Sequence, residues 1–209
     1  TLTGTIAAGS GTVTISDSDG AGMSLGDDTA LGMDITGAEI QNITAGTVEF
    51  STADRVNVDN ITATNSNNIG TVLIDATGAV EFKTAASIFN ALTVESDQDV
   101  DINVAITTDT GALTIDADDD NGGGSGDNRI DMAAGLTLTS ATSITLDATT
   151  GDIVFAGAGT LDAANGVTIN DDLTVNAGTL TIDADNDDNG TGTLTIAGAV
   201  ANANRAITL

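Results

Sequence analysis

The chain is written in short phrases of the form apolar–Thr–apolar. Val13–Ile15, Leu92–Val94, Leu113–Ile115, Leu136–Leu138 and Ile144–Leu146 have it, as do Val167–Ile169, Leu173–Val175, Leu180–Ile182, Leu194–Ile196 and Ile207–Leu209. Val48–Phe50, Val56–Val58, Val80–Phe82 and Val100–Ile102 carry Glu, Asn or Asp at the centre instead. Alternation with period two turns both apolar residues to one face and the polar residue to the other, as in a strand. β-Branched residues dominate, which suits a pleated surface. No i, i+3, i+4 pattern is sustained, and Gly, Asn and Asp punctuate the gaps.

Spacing selects among all-β architectures. Predicted strands begin in close succession, at 130, 136, 144, 153, 161, 167, 173 and 180. Sandwich hairpins show longer strands with turn signals every ~8–12 residues. Three short strands per coil of ~20–24 residues is the signature of a parallel β-helix. The predicted fold is therefore all-β: a parallel β-helix (β-solenoid) with about three short strands per coil, a sandwich being the alternative. VLIDATGAVEF (72–82) aligns strand for strand with ITLDATTGDIVF (144–155). The separation of Leu113 from Leu180 reads as three coils and places the acidic runs behind them side by side on one edge. About nine or ten coils rising ~4.8 Å each predict a rod roughly 45 Å long. Residues 1–209 read as a single solenoid segment, less regular over 1–70. Both ends look like cuts without a polar cap, so the expectation is a mature product or a piece of a longer chain or fibre.

SITLDATTGDIVFAG (143–157) and GVTINDDLTVNAGTLTI (166–182) resemble the β-strand repeats of filamentous-haemagglutinin-type exoproteins and giant bacterial surface adhesins. The resemblance covers most of 70–209. It implies a right-handed parallel β-helix and a non-enzymatic extracellular role in adhesion or surface structure.

Composition narrows the chemistry. With 31 acidic and 4 basic residues the formal charge is -27, and there is no His, Cys, Pro, Trp or Tyr. Imidazole bases, thiolate nucleophiles and His or Cys metal sites are excluded. Four cations cannot neutralise a phosphate backbone, so no nucleic-acid partner is expected, and anionic membranes repel this surface. No apolar run reaches the ~18 residues of a membrane-spanning helix, and no membrane insertion is expected. An enzyme is not expected: sugar-cleaving carboxylates need aromatic platforms or cations that this chain lacks.

Two near-copies, GALTIDADDDNGG (111–123) and GTLTIDADNDDNG (178–190), carry the candidate metal residues. Asp116, Asp118 and Asp120 alternate in the first, with Asp127 following; Asp183, Asp185 and Asp187 alternate in the second, with Asn189. Alternate carboxylates can converge on one hard cation, and calcium is the candidate cofactor, taking about six to eight oxygen ligands. A solvated turn that keeps the rod soluble is the competing reading. Neither loop has Gly at its sixth position, so neither is an EF-hand.

The function expected from these features is a non-enzymatic structural or adhesive protein of the cell surface or extracellular space. It self-associates into a filament or sheet, bridged by calcium, and meets a glycan or protein receptor. An S-layer-like lattice protein is one alternative. An ice- or glycan-binding solenoid module, using the mid-strand threonines as a ladder, is another. Phe50, Phe82 and Phe155 are expected in the core rather than in a ligand pocket.

Overall fold

The computed structural model describes residues 1–122, 128–201 and 206–209. All strands pair in parallel within three sheets, the arrangement of a parallel β-solenoid. On the first face the order is Ile6–Ala7 beside Thr12–Ser16, then Ile43–Thr52, Ile69–Ala76, Leu92–Ser96, Leu113–Asp116, Ile144–Asp147, Val167–Ile169 and Leu194–Ile196. The second face runs Met33–Ile35, Met23–Gly26, Val56–Asp59, Val80–Phe82, Val100–Ile102, Ile130–Met132, Ile153–Phe155, Leu173–Val175 and Val200–Ala201. The third runs Ser87–Phe89, Ile106–Thr108, Leu136–Ser140, Gly159–Ala163, Thr179–Asp183 and Ala206–Thr208.

Pairing is in register from coil to coil. Val48, Val72, Leu92, Leu113, Ile144, Val167 and Leu194 share one inward column. Coil length therefore varies, and beyond Val48 the longest coils run from Leu113 to Ile144 and from Val167 to Leu194. These two hold the acidic insertions that follow Asp116 and Asp183. The correspondence between 72–82 and 144–155 spans three coils, since Val72 reaches Ile144 through Leu92 and Leu113.

Three expectations need correction. The first face has eight rungs, not nine or ten, and spans about 34 Å from first to last rung at ~4.8 Å per step. Leu113 lies on the first face and Leu180 on the third, so the two acidic runs leave different corners of the stack and are not neighbours. Both misreadings share a cause: the insertions absorb residues that a constant coil length counts as strand. The first rung is also partly closed, rather than lacking a cap, because Met33–Ile35 lies along its outer edge.

Residues 1–70 belong to the same stack. Met23–Gly26 pairs with Val56–Asp59 on one side and with Met33–Ile35 on the other. The third side of these coils holds single-turn helices, α1 (Gly37–Ile40) and α2 (Ala63–Ser66), in place of strands. Thr36 starts α1 with a capping box: its Oγ1 accepts from Glu39 N at 3.3 Å, and Glu39 Oε2 accepts from Thr36 N at 3.0 Å. At α2, Asn65 Oδ1 accepts from Thr62 N at 2.9 Å. The two helices are entered by related phrases, ITGAEI and ITATNS, one coil apart.

The core is one continuous aliphatic column with four phenylalanines in it. Phe50, Phe82, Phe89 and Phe155 are all buried, as expected for the three that the sequence singled out. Burying one Val, Leu or Ile side chain contributes roughly 1.5–3 kcal/mol. Each rung leaves its inward residues open until the next covers them, so this stabilisation depends on neighbours. In the strand Ile144–Asp147, Ile144 is fully buried and Thr145 faces out. Ile144→Ala is expected to destabilise by about 2–5 kcal/mol. Thr145→Ala next to it should cost less than about 0.5 kcal/mol, in line with other surface positions. Denaturant melts of the two variants measure the contrast, and equal losses would contradict this inside–outside assignment.

Candidate functional site: acidic loops and acidic columns

In-register pairing copies each outward position from rung to rung. On the first face Asp75, Glu95, Asp116 and Asp147 fall on four successive rungs. On the second, Glu81, Asp101 and Asp131 fall on three. Carboxylates therefore stand about 4.8 Å apart in files. Burial pushes the Glu95 carboxyl up, and Asp119, Asp75, Asp116 and Glu49 push it further. Asp101 rises through burial and then through Asp131, Asp99 and Glu81. Asp116 rises through burial despite the opposing hydrogen bond from Asp118 N. These files were missed because the sequence sets their members a full coil apart; only the register of the coils brings them together.

The candidate metal residues are used locally. Asp118 is fully buried: its Oδ1 accepts from Asn128 Nδ2 at 2.9 Å and its Oδ2 from Thr150 N at 2.8 Å. It clasps the neck of the first insertion to the following coil. Asp116 Oδ1 accepts from Asp118 N at 3.1 Å and Asp120 Oδ1 from Gly122 N at 2.8 Å. Asp127 lies outside the described residues. In the second insertion Asp183 Oδ1 accepts from Asp185 N at 3.1 Å, and Asp185 Oδ2 from Gly190 N at 2.9 Å. Asp187 Oδ2 accepts from Asn189 Nδ2 at 2.7 Å. Gly190 has φ +79°, the left-handed conformation that closes this turn. Among the described residues no three carboxylates are grouped so as to hold a metal ion. Hydrogen bonds join near neighbours within each loop, Asp116 with Asp118 and Asp185 with Gly190, and the two loops leave different corners of the stack.

Amide donors do much of the work that cations do elsewhere. Asn60 donates to Asp27 at 2.6 Å, Asn103 to Glu81 at 3.2 Å, Asn170 to Asp147 at 2.8 Å and Asn186 to Asp162 at 2.7 Å. Each of these bonds crosses between coils.

Threonines form files too. Thr93, Thr114, Thr145, Thr168 and Thr195 occupy five successive rungs of the first face. Thr137, Thr160, Thr181 and Thr208 occupy four of the third.

Cavities open at the first coils of the stack. One of about 300 Å³ opens at the first rung among Leu2, Ile6, Ile15, Met33, Ile35 and Ile43. A second, about 470 Å³, lies among Asp27, Thr29, Thr36, Asn60, Thr62 and Asn65. In the second cavity Asp27 and Asn65 already accept hydrogen bonds from Asn60 and Thr62.

The class defined by this architecture is a parallel β-solenoid with acidic outer columns and acidic corner insertions. No family model, curated protein or solved structure matches the chain.

The carboxylates divide into two groups with opposite pH responses. Raised groups, Glu95, Asp97, Asp101, Asp116 and Asp171, take up protons more readily in the folded state. Their contribution to stability is full below the unfolded values of about 3.9–4.3 and is lost as pH rises through the folded ones. Glu39 is held at about 2 by hydrogen bonds from Thr36 N and Leu2 N, and Asp17 at about 2 by the backbone N–H groups of Asp19 and Gly22 with Thr52 Oγ1. Their contribution is present above about 4 and lost as pH falls towards 2. Thermal melting followed by circular dichroism should therefore give a maximum near pH 4, with a lower melting temperature at pH 7. A melting temperature that climbs steadily to pH 7 would contradict the arrangement of the files.

Proposed function

We propose that this chain is a non-enzymatic structural segment of an extracellular or cell-surface fibre. It extends by adding coils along the solenoid axis. The observation that carries this reading is the last rung, Leu194–Ile196, Val200–Ala201 and Ala206–Thr208. Among the described residues no strand covers it on any of the three faces. Its inward Leu194, Ile196 and Ile207 are only half-buried, although their counterparts one rung earlier, Val167, Ile169 and Leu180, are fully buried or nearly so. Its outward strand positions, Thr195, Ala201 and Thr208, carry no charge. An uncovered set of parallel edges over apolar side chains is a template for further strands.

Those further coils come from the same chain or from another copy. This reading is supported over catalysis because the chain lacks His and Cys, and Asp118, Asp147, Asp162 and Asp183 accept hydrogen bonds within the stack. Calcium acts in this reading as a counterion along the outer files, relieving like-charge repulsion, rather than as a caged ion in either insertion. The reading keeps the adhesive role that the resemblance to surface-adhesin repeats implies, with a glycan or protein receptor. Electron microscopy of the purified protein with and without calcium tests it. Filaments or sheets are expected, more abundant with calcium; isolated particles in every condition overturn the assembly.

A second reading has one observation of its own, the file of five threonines at a constant rung spacing. Regularly repeated methyl and hydroxyl groups on a flat face can order water, as an ice-binding surface does. Thermal hysteresis at high protein concentration is the expected outcome on that reading. A freezing point equal to the melting point, with unshaped crystals, rejects it.

A further inference from the structure

Lys83 is the single lysine of the chain, and the fold sets it beside a buried amide. Asn57 lies on the strand Val56–Asp59, and Lys83 follows directly on Val80–Phe82 one rung later. Asn57 is in register with Glu81, so Lys83 is its diagonal neighbour on the outer side. Two residues along a strand at ~3.3 Å each and one rung of ~4.8 Å make that diagonal about 8 Å, within reach of a long side chain. Asp28 joins the two. Its Oδ2 accepts from Asn57 Nδ2 at 3.0 Å, and its Oδ1 faces Lys83 Nζ at 3.3 Å.

Asn57 and most of Asp28 are covered, while the Lys83 side chain keeps 27% of its surface exposed. Gly26, at φ +87°, turns the chain out of its strand where a Cβ would collide with the Asp59 carbonyl. The loop 27–32 then folds over the outside of the second face. Ser24 Oγ donates to Asp28 Oδ2 at 2.8 Å and accepts from Leu31 N at 3.1 Å, fastening the loop. Asn57 is left 2% exposed. Its Oδ1 is buried with no hydrogen-bond partner. A native interior seldom leaves such a group unpaired, so the hydrogen-bond inventory here is incomplete as it stands.

We propose that Lys83 and Asn57 condense into an intramolecular isopeptide bond, with Asp28 carrying the protons. Asp28 Oδ1 takes a proton from the Lys83 ammonium, and the freed lone pair of Nζ attacks Asn57 Cγ. The Nζ–Cγ bond forms as the carbonyl electron pair moves onto Asn57 Oδ1. A second proton leaves Nζ and reaches Nδ2, whose neighbour is the other oxygen of the same carboxylate. The carbonyl reforms, the Cγ–Nδ2 bond breaks, and ammonia departs. It carries off the first proton as ammonium, which restores the Asp28 carboxylate. No oxidant or other reactant is needed. Positioning supplies the drive: nucleophile and leaving group share one carboxylate, held by the loop 27–32. The product is a covalent staple between two adjacent coils of a chain that has no cysteine.

Intact mass spectrometry of the denatured full chain, after incubation of the folded protein, tests this directly. The expected result is a deficit of one ammonia per chain, with trypsin failing to cleave after Lys83. A full mass with cleavage at Lys83 overturns the proposal. So does an ammonia deficit with normal cleavage there, which would report ring closure of an asparagine instead. Lys83→Arg retains the ion pair with Asp28 but not the nucleophile, and is expected to fold with full mass. Asp28→Asn is expected to lower the linked fraction at least tenfold. An unchanged deficit in the first variant removes Lys83 from the reaction, and in the second removes Asp28 as the proton carrier.

Discussion

Everything in this molecule depends on one constraint, the parallel in-register pairing of each rung with the next at about 4.8 Å. It gives every residue a near-copy of its own environment above and below. Inside, that repetition is favourable: Val80, Val100, Ile130, Ile153 and Leu173 form an unbroken apolar column. Outside, the same geometry stacks like on like. Threonine over threonine is harmless, whereas Asp116 over Glu95 is not. The core can tolerate this repulsion because burial of several aliphatic side chains per coil exceeds it.

The repeating phrase was enough to predict the solenoid, because period two and short spacing admit few alternatives. It also aligned Ile144–Leu146 with Val72–Ile74, which the register sets three coils apart. It was not enough to tell one face from another. Leu113–Ile115 and Leu180–Ile182 have the same pattern, yet one serves the first face and the other the third. Nothing in an apolar–Thr–apolar strand labels its side of the stack. Phase must come from counting, and the insertion after Asp116 breaks the count.

The acidic insertions show a different limit. Alternating aspartates are what a cation loop needs, but also what turns use to accept backbone N–H groups. Asp118 illustrates the choice: its two oxygens are both taken, by Asn128 and by Thr150 of the next coil. The sequence could not show this, since Thr150 is brought to Asp118 only by the stacking of one coil on the next. The two short helices were legible in principle. TGAE at 36–39 is a capping-box motif, overlooked because a single turn leaves no apolar period.

The distribution of charge along the axis makes the middle of the rod differ from its last coil. On the first face the file reads Ser51, Asp75, Glu95, Asp116 and Asp147, and Asp147 then receives Asn170 from the coil beyond. On the second it reads Asn57, Glu81, Asp101, Asp131, Val154 and Thr174. Both files are acidic at the centre and neutral where they stop. Screening falls off over about 8 Å at physiological salt, less than two rungs. Two stacked ends would therefore feel little of the central files. The same charge keeps lateral faces apart, since those present the files broadside. The central files thus oppose side-by-side aggregation more than growth along the axis, where the charge nearest the end is that of Asp183, Asp185, Asp187 and Asp188 at one corner.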